Sequence, residues 1–286
     1  MTKRAYKYRI YPTEEQQRNL GHTFGCCRFI YNWALSTRKR AYFDHGKNLS
    51  TGDLSAGITV LKKEEGTVWL REVSSVPLQQ AFRHLDTAYK NFFAKRAHYP
   101  TFKKKHKEQS ATYTNNAFTW DGQHLTLAKQ KEPLPIVWSR PLPEGAQPSS
   151  VTVSKDRAGR YFVSILVEGT IATLPMTDKM IGVDLGLKSF LITSDGETLD
   201  NPKYYTRDER KLAKAQRKHA KKKKGDKNRD KACRKVARLH ARIADTRRDF
   251  QHQASIKLIR ENPRDLCGNA QCQRHAEKSP SGKSHQ

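Results

Sequence analysis

The sequence predicts an α+β protein of several domains: an antiparallel sheet or barrel with a helical domain inserted into it, then a carboxylate-bearing β-hairpin and a basic helical hairpin. Three observations carry this. Apolar residues keep helical spacing through residues 13–95, strand-like runs follow between residues 111 and 168, and the most basic part of the chain lies beyond residue 210. The 286 residues leave room for two or three domains, and Lys plus Arg number 55 against 28 Asp plus Glu, a formal net charge of +27. So large an excess predicts a polyanion partner, nucleic acid by default, bound with steep salt dependence. A membrane surface is the competing polyanion, but no apolar run approaches the roughly 20 residues of a span. The start from Met1 to Tyr6 lacks the apolar segment of a signal peptide. A cytoplasmic protein is expected, and the five cysteines, an odd number, suit a reducing compartment better than a disulfide framework.

Residues 4–11 alternate Tyr6, Tyr8 and Ile10 with Lys7 and Arg9, which predicts a strand with one apolar and one basic face that stops at Pro12. Thr13 and Gln16 then form a capping box opening a helix, whose positions Leu20, Phe24, Cys27, Tyr31, Ala34 and Leu35 keep helical spacing until Gly46. Leu54, Ile58 and Leu61 repeat that spacing, and Ser75 with Pro77 starts a third helix through Leu78, Phe82, Leu85, Tyr89 and Phe92. Beyond Tyr99-Pro100 the period changes to strands at 111–120, 123–129, 134–138, 149–156 and 160–168, evenly spaced as in an antiparallel sheet or barrel. Between helix and strands lies Phe102-Lys103-Lys104-Lys105-His106-Lys107, where an aromatic ring embedded in a charge run can stack on a base.

From Met180 to Ile192 runs an apolar stretch with a single carboxylate, Asp184, closed by Gly186 and turning at Ser194-Asp195-Gly196. It predicts a β-hairpin with Asp184 on the first strand. An aspartate inside an apolar strand is costly to bury unless paired or neutralised, so Asp184 either caps the turn beside Gly186 or holds a cation such as Mg²⁺. Further on, a helix from Leu212 to Ala220 is broken at Lys221 to Asp226. A second stripe of Ala232, Val236, Leu239, Ile243, Phe250, Ala254 and Leu258 gives this helical hairpin a packed face. The other face carries Lys214, Arg217 and Lys218, then Arg234, Lys235, Arg238 and Arg242, spaced to line a phosphate groove. The tail 263–286 has almost no aliphatic residues and is expected to be disordered; its Cys267, Cys272 and His275 make a poor zinc pattern.

The runs Tyr8-Arg9-Ile10-Tyr11-Pro12, Phe24 to Asn32, Val76 to Arg83, Tyr99 to Lys103 and Gly182 to Gly186 resemble the TnpB (OrfB) family of insertion-sequence proteins, relatives of type V CRISPR effector nucleases. The likeness extends in order from residue 4 to about 262. It implies an N-terminal β-barrel wedge domain (1–12 plus 96–173), an inserted helical recognition domain (13–95), and a partial RuvC domain of ribonuclease H-like fold (174–262). It further implies a guide RNA derived from the transposon end, a double-stranded DNA target beside a short flanking motif, and Mg²⁺ at Asp184 as catalytic ligand. Gln79, Thr114 and Asn115 match the family's motif-reading positions. An amide can hold two atoms of an adenine edge and a threonine can meet a thymine methyl; equally, Gln79 can cap its helix and Asn115 can sit in a turn.

After Asn262 the chain reads Pro263-Arg264-Asp265-Leu266 and no longer matches the family's strand with a catalytic glutamate, its two Cys-x-x-Cys zinc pairs or its last aspartate. A two-metal site needs carboxylates on both sides of the metal pair. The expectation is therefore a C-terminally truncated nucleic-acid-binding protein of endonuclease ancestry that does not cut. The alternatives are an active endonuclease whose missing site comes from another chain, and a frameshifted remnant.

Overall fold

The structure, a computed structural model, describes residues 2–169 and 181–261. Met180 and the tail 263–286, with Cys267, Cys272 and His275, lie outside the described residues. Two compact units form, Met1–Ala172 with Arg217–Arg238, and Thr173–Gln216 with Leu239–Gln286.

In the first unit, β1 (Thr2–Ile10) buries Tyr6, Tyr8 and Ile10, as alternation requires. Helix α1 (Glu14–His45) starts at a two-way capping box. Thr13 N–H donates to Gln16 Oε1 at 3.1 Å, and Gln16 N–H donates to Thr13 Oγ1 at 3.3 Å. It ends at Gly46, whose φ of 64° is the left-handed conformation a glycine supplies without strain. Helix α2 (Thr51–Leu61) buries Leu54, Ile58 and Leu61. Its Gly57 is needed because a Cβ there would stand 2.5 Å from the Trp33 ring. Helix α3 (Ser75–Phe93) buries Pro77, Leu78, Ala81, Phe82 and Leu85, and α1 and α3 pack on each other and on strand β2 (Gln109–Thr114).

The remaining strands are β3 (Phe118–Trp120), β4 (Leu125–Leu127), β5 (Ile136–Val137), β6 (Pro148–Lys155) and β7 (Tyr161–Gly169). Five of them make an antiparallel sheet in the order β2-β6-β7-β1-β5. The expected barrel is corrected here: among the described residues the sheet stays open, with β2 and the two-residue β5 at its edges. The run 111–120 is broken by a 3₁₀ turn at Asn115–Ala117, where two asparagines favour a turn, and β3 leaves the sheet to pair with β4 as a separate ribbon. One apolar core joins the helices to the sheet, from Leu20 and Phe24 to Val163 and Ile165.

The second unit is sparer. Strands β8 (Val183–Asp184), β9 (Ser189–Thr193) and β10 (Thr198–Asp200) form a sheet in the order β10-β9-β8. Helices α4 (Tyr204–Ala220) and α5 (Lys227–Glu261) follow, α4 beginning at Tyr204 rather than Leu212, and the second unit takes α4 up to Gln216 and α5 from Leu239. Phe190 and Tyr204 meet Phe250 edge-on, at centroid distances of 5.0 and 5.9 Å. The packed stripe expected on the second basic helix is also corrected. Of its seven positions Ile243 is buried, while Ala232, Val236, Leu239, Phe250, Ala254 and Leu258 stay half-exposed, because a three-stranded sheet of short strands offers too little surface to cover a 35-residue helix.

Candidate nucleic-acid interface and carboxylate site

Asp184 lies on β8, opposite Ile192 of β9, as the hairpin pattern requires. Gly182 N–H donates to Ser194 Oγ at 3.1 Å and Ser194 N–H to the Gly182 carbonyl at 2.8 Å, which fixes the register beside it. The premise of burial fails, however. Asp184 is exposed, and the apolar residues around it are exposed too, Leu185 to 69% and Leu187 to 92%. An exposed carboxylate keeps its hydration and needs no counter-ion, so burial gives no ground for a bound cation here. Asp184 is a hard oxygen donor of the kind Mg²⁺ takes. Yet among the described residues no group of three or more His, Cys, Asp or Glu could hold a metal ion. These residues do not fit a two-metal centre.

The cations of the helices are better placed. On α4, Lys214, Arg217 and Lys218 are exposed at spacings of three and four residues, which puts them on one helical face. On α5, Arg234, Lys235, Arg238 and Arg242 are exposed likewise. None of them makes an ion pair among the described residues, whereas Lys211, Arg248 and Lys257 do, with Asp208, Asp245 and Glu197.

The loop cations divide. Lys103, Lys104 and Lys105 are all exposed, but Lys103 is also docked onto α1. Its N–H donates to Asn32 Oδ1 at 2.8 Å, its carbonyl accepts from Asn32 Nδ2 at 3.0 Å, and its ammonium stands 4.2 Å from the Tyr31 ring centroid. Desolvation there pushes its pKa below the ordinary lysine value. Lys103 thus anchors the loop through a cation–π contact and is the least available of the three for a phosphate. Gln79 is exposed on α3 and does not cap it, since Ser74 is the N-cap. Thr114 ends β2 half-buried, and Asn115 lies just beyond the strand, exposed, in the 3₁₀ turn.

One cationic patch was not anticipated as a site. On the outer face of the sheet Lys7, Arg9 and Arg160 surround the Phe162 ring at 4.5, 5.0 and 5.3 Å from its centroid. Arg160 is tied to Asp156 at 2.7 Å, and Arg9 Nη1 is buried with no hydrogen-bond partner among the described residues. The alternation of Lys7 and Arg9 along β1 was visible in the sequence; that Phe162 stands opposite Arg9 required the strand register.

Comparison with known proteins gives the architecture its relatives. A family profile described as "Probable transposase" matches residues 162–268, and one described as "Helix-turn-helix domain" matches residues 1–47, which in this chain are β1 followed by the unbroken helix α1. A protein of Streptomyces pristinaespiralis named "Putative RNA-guided DNA endonuclease" is 56% identical over 261 residues, covering 91% of this chain and 65% of its own. "Putative RNA-guided DNA endonuclease InsQ" of Escherichia coli K12 is 31% identical over 265 residues, covering 90% and 64%. The chain therefore spans just under two thirds of the length of these relatives. Among solved structures, the cryo-EM structure of the Cas12f1-sgRNA-target DNA complex shares the fold, with a TM-score of 0.51 at 11% identity over 91% of this chain and 79% of that one. With sequence likeness of this extent, in the order the motifs require, the chain belongs to the TnpB (OrfB) family of insertion-sequence proteins.

Proposed function

We propose that this chain is the nucleic-acid-binding portion of an RNA-guided DNA endonuclease, holding a guide RNA derived from the transposon end and a double-stranded DNA target in the cytoplasm. The observation that carries the proposal is the set of exposed cations at helical spacing on α4 and α5 that make no ion pair among the described residues. The names of the relatives, RNA-guided DNA endonucleases, support RNA and DNA as the two partners. Guide pairing would read the target sequence while the protein reads backbone shape and a short flanking motif. Gln79, Thr114 and Asn115 are the residues proposed for that motif, exposed or half-exposed on elements that pack together, α3 and β2. In family terms the sheet is the wedge domain, the helices α1 to α3 the recognition domain, and residues 174–262 the RuvC-like domain. Among the described residues no carboxylate joins Asp184 in a cluster that could hold a metal ion, so in this reading residues 1–286 bind without cutting. Cutting would need further carboxylates beside Asp184.

Binding and cleavage are measured on the full chain with guide RNA and target duplex. Neutralising Lys214, Arg217, Lys218, Arg234, Lys235 and Arg238 together should flatten the dependence of log affinity on log salt by roughly 0.7 to 0.9 for each phosphate left without its cation. An unchanged slope would put the RNA elsewhere. Mg²⁺-dependent, guide-programmed cuts that vanish in Asp184→Ala would refute the non-cutting reading. Gln79→Ala and Asn115→Ala should relax flanking-base preference in a pool of randomised duplexes without loss of RNA affinity.

A further inference from the structure

We propose that the common end of α1 and α3 is a stacking site for unpaired nucleobases. Both helices run side by side in the same direction. Cys27 Sγ donates to the Pro77 carbonyl at 3.5 Å, and further along Arg38 pairs with Asp86 and lies 5.7 Å from the Tyr89 ring centroid. Their C-terminal ends therefore sit together, and that end carries four exposed rings. Tyr42 is 56% exposed, Phe43 70%, Phe93 74% and Tyr99 42%. Large rings are normally buried, and two exposed pairs of them at one end of two packed helices mark a binding surface.

The rings are held rather than loose. Lys95, a non-glycine residue with a φ of 57°, stops α3 and turns the chain back, and the N–H groups of Arg96 and Ala97 both donate to the Asn91 carbonyl. The reversal brings Tyr99 edge-on to Tyr89 and Phe92, with the two tyrosine hydroxyls 3.1 Å apart. Phe93 in turn stacks on Tyr89 at 6.3 Å, and Phe43 is set edge-on to Tyr42 at 5.6 Å. Lys39, Arg40, Lys95 and Arg96 are exposed or half-exposed around them, against a single carboxylate nearby on α1, Asp44.

Fixed π faces ringed by cations suit a single strand, whose bases can stack on aromatic side chains while its phosphates meet the lysines and arginines. A duplex cannot use such faces, since its bases are already stacked on each other. Symmetric pairing with a second copy of the chain would bring these four cations against their own counterparts, which disfavours a dimer through this surface. Counted at 1.5 Å per residue, Phe93 lies about 21 Å along α3 from Gln79, so the stacking site and the proposed motif reader occupy opposite ends of one helix.

The inference rests on the nucleic-acid reading above, and its test separates the two. Full-length protein is titrated into a single-stranded RNA dodecamer carrying 2-aminopurine and into the same sequence as a duplex. Wild type should quench the single-strand fluorescence. The double variant Phe43→Leu with Phe93→Leu should lose the quench and about tenfold in single-strand affinity for each ring, with duplex affinity and far-ultraviolet circular dichroism unchanged. Phe43→Trp with Phe93→Trp should restore both. Leucine variants that quench and bind like wild type would overturn the site alone. So would a wild-type dimer, seen by sedimentation, that the leucine variants dissociate without altering the quench. Wild type that binds neither single strand nor duplex would overturn the nucleic-acid reading together with this one.

Discussion

Two strand-rich regions of this chain meet water on different terms. In the first unit β7 buries every second residue and β1 does so from Tyr6 onward, and Tyr8, Ile10, Val151, Val153, Val163 and Ile165 are almost wholly enclosed in one core with residues of α1 and α3. In the second unit an equally apolar run, Val183 to Leu187, lies open. Burial there, among the described residues, is confined to Leu191 and Thr193 on the sheet and to Asp208, Leu212, Ala215 and Ile243 on the helices. Hydrophobicity of a segment states what it gains if covered, and only the elements packed on it decide whether it is covered. Stability should therefore be concentrated in the first unit. The second has few enclosed contacts to oppose local opening.

The largest effect that would sharpen this contrast is a core truncation. Phe24→Ala or Leu78→Ala should cost about 3 to 5 kcal/mol in urea unfolding and raise hydrogen exchange throughout β1 and β7. The same exchange in β9 should hardly move; equal loss in both units would break the comparison. Alkali acts on the same core. Burial raises the Cys26 and Cys27 thiols from 9.0 to about 12, so between those values the unfolded chain ionises thiols that the folded chain keeps protonated. Stability of the first unit is thus full below pH 9.0 and falls as pH climbs toward about 12, which melts at stepped pH would follow. At neutral pH the exposed Cys233 should be alkylated well before Cys26 or Cys27, as peptide mass mapping would report.

Smaller losses probe the second unit and the helix ends. Ile243→Ala should cost about 2 kcal/mol, confined to the second unit and read as faster exchange in β9. Thr13→Ala removes half of a capping box and should cost about 1 kcal/mol, lowering the melting temperature without changing α1 beyond its first turn. Leu187→Ala and Asp184→Ala should stay within about 0.5 kcal/mol of wild type. A large destabilisation by either would mean that the β8 edge is covered in solution.

Much of the fold was legible because its determinants are local. The Thr13 and Gln16 box, the stop at Gly46 and the stripe from Leu20 to Leu35 each involve residues within a few turns of one helix, and they hold in the structure. Tyr6, Tyr8 and Ile10 face inward on β1 for the same reason: a strand's period is set by its own backbone. The candidate site was legible in part. Exposed cations on α4 and α5 follow from spacing and scarcity of acids, while the docking of Lys103 on Tyr31 joins residues 72 positions apart that no local pattern links.

The sequence by itself determined the excess of positive charge, the first helix with its cap, the inward faces of β1 and β7 and the family to which the chain belongs. Tertiary structure alone decided that the sheet stays open, that β3 pairs with β4, that Phe162 is ringed by Lys7, Arg9 and Arg160, and that Asp184 stands in water. The physical reason is range. Torsional preference and capping act within one turn or one strand, whereas burial, register and the crowding of charge depend on segments brought together from distant parts of the chain.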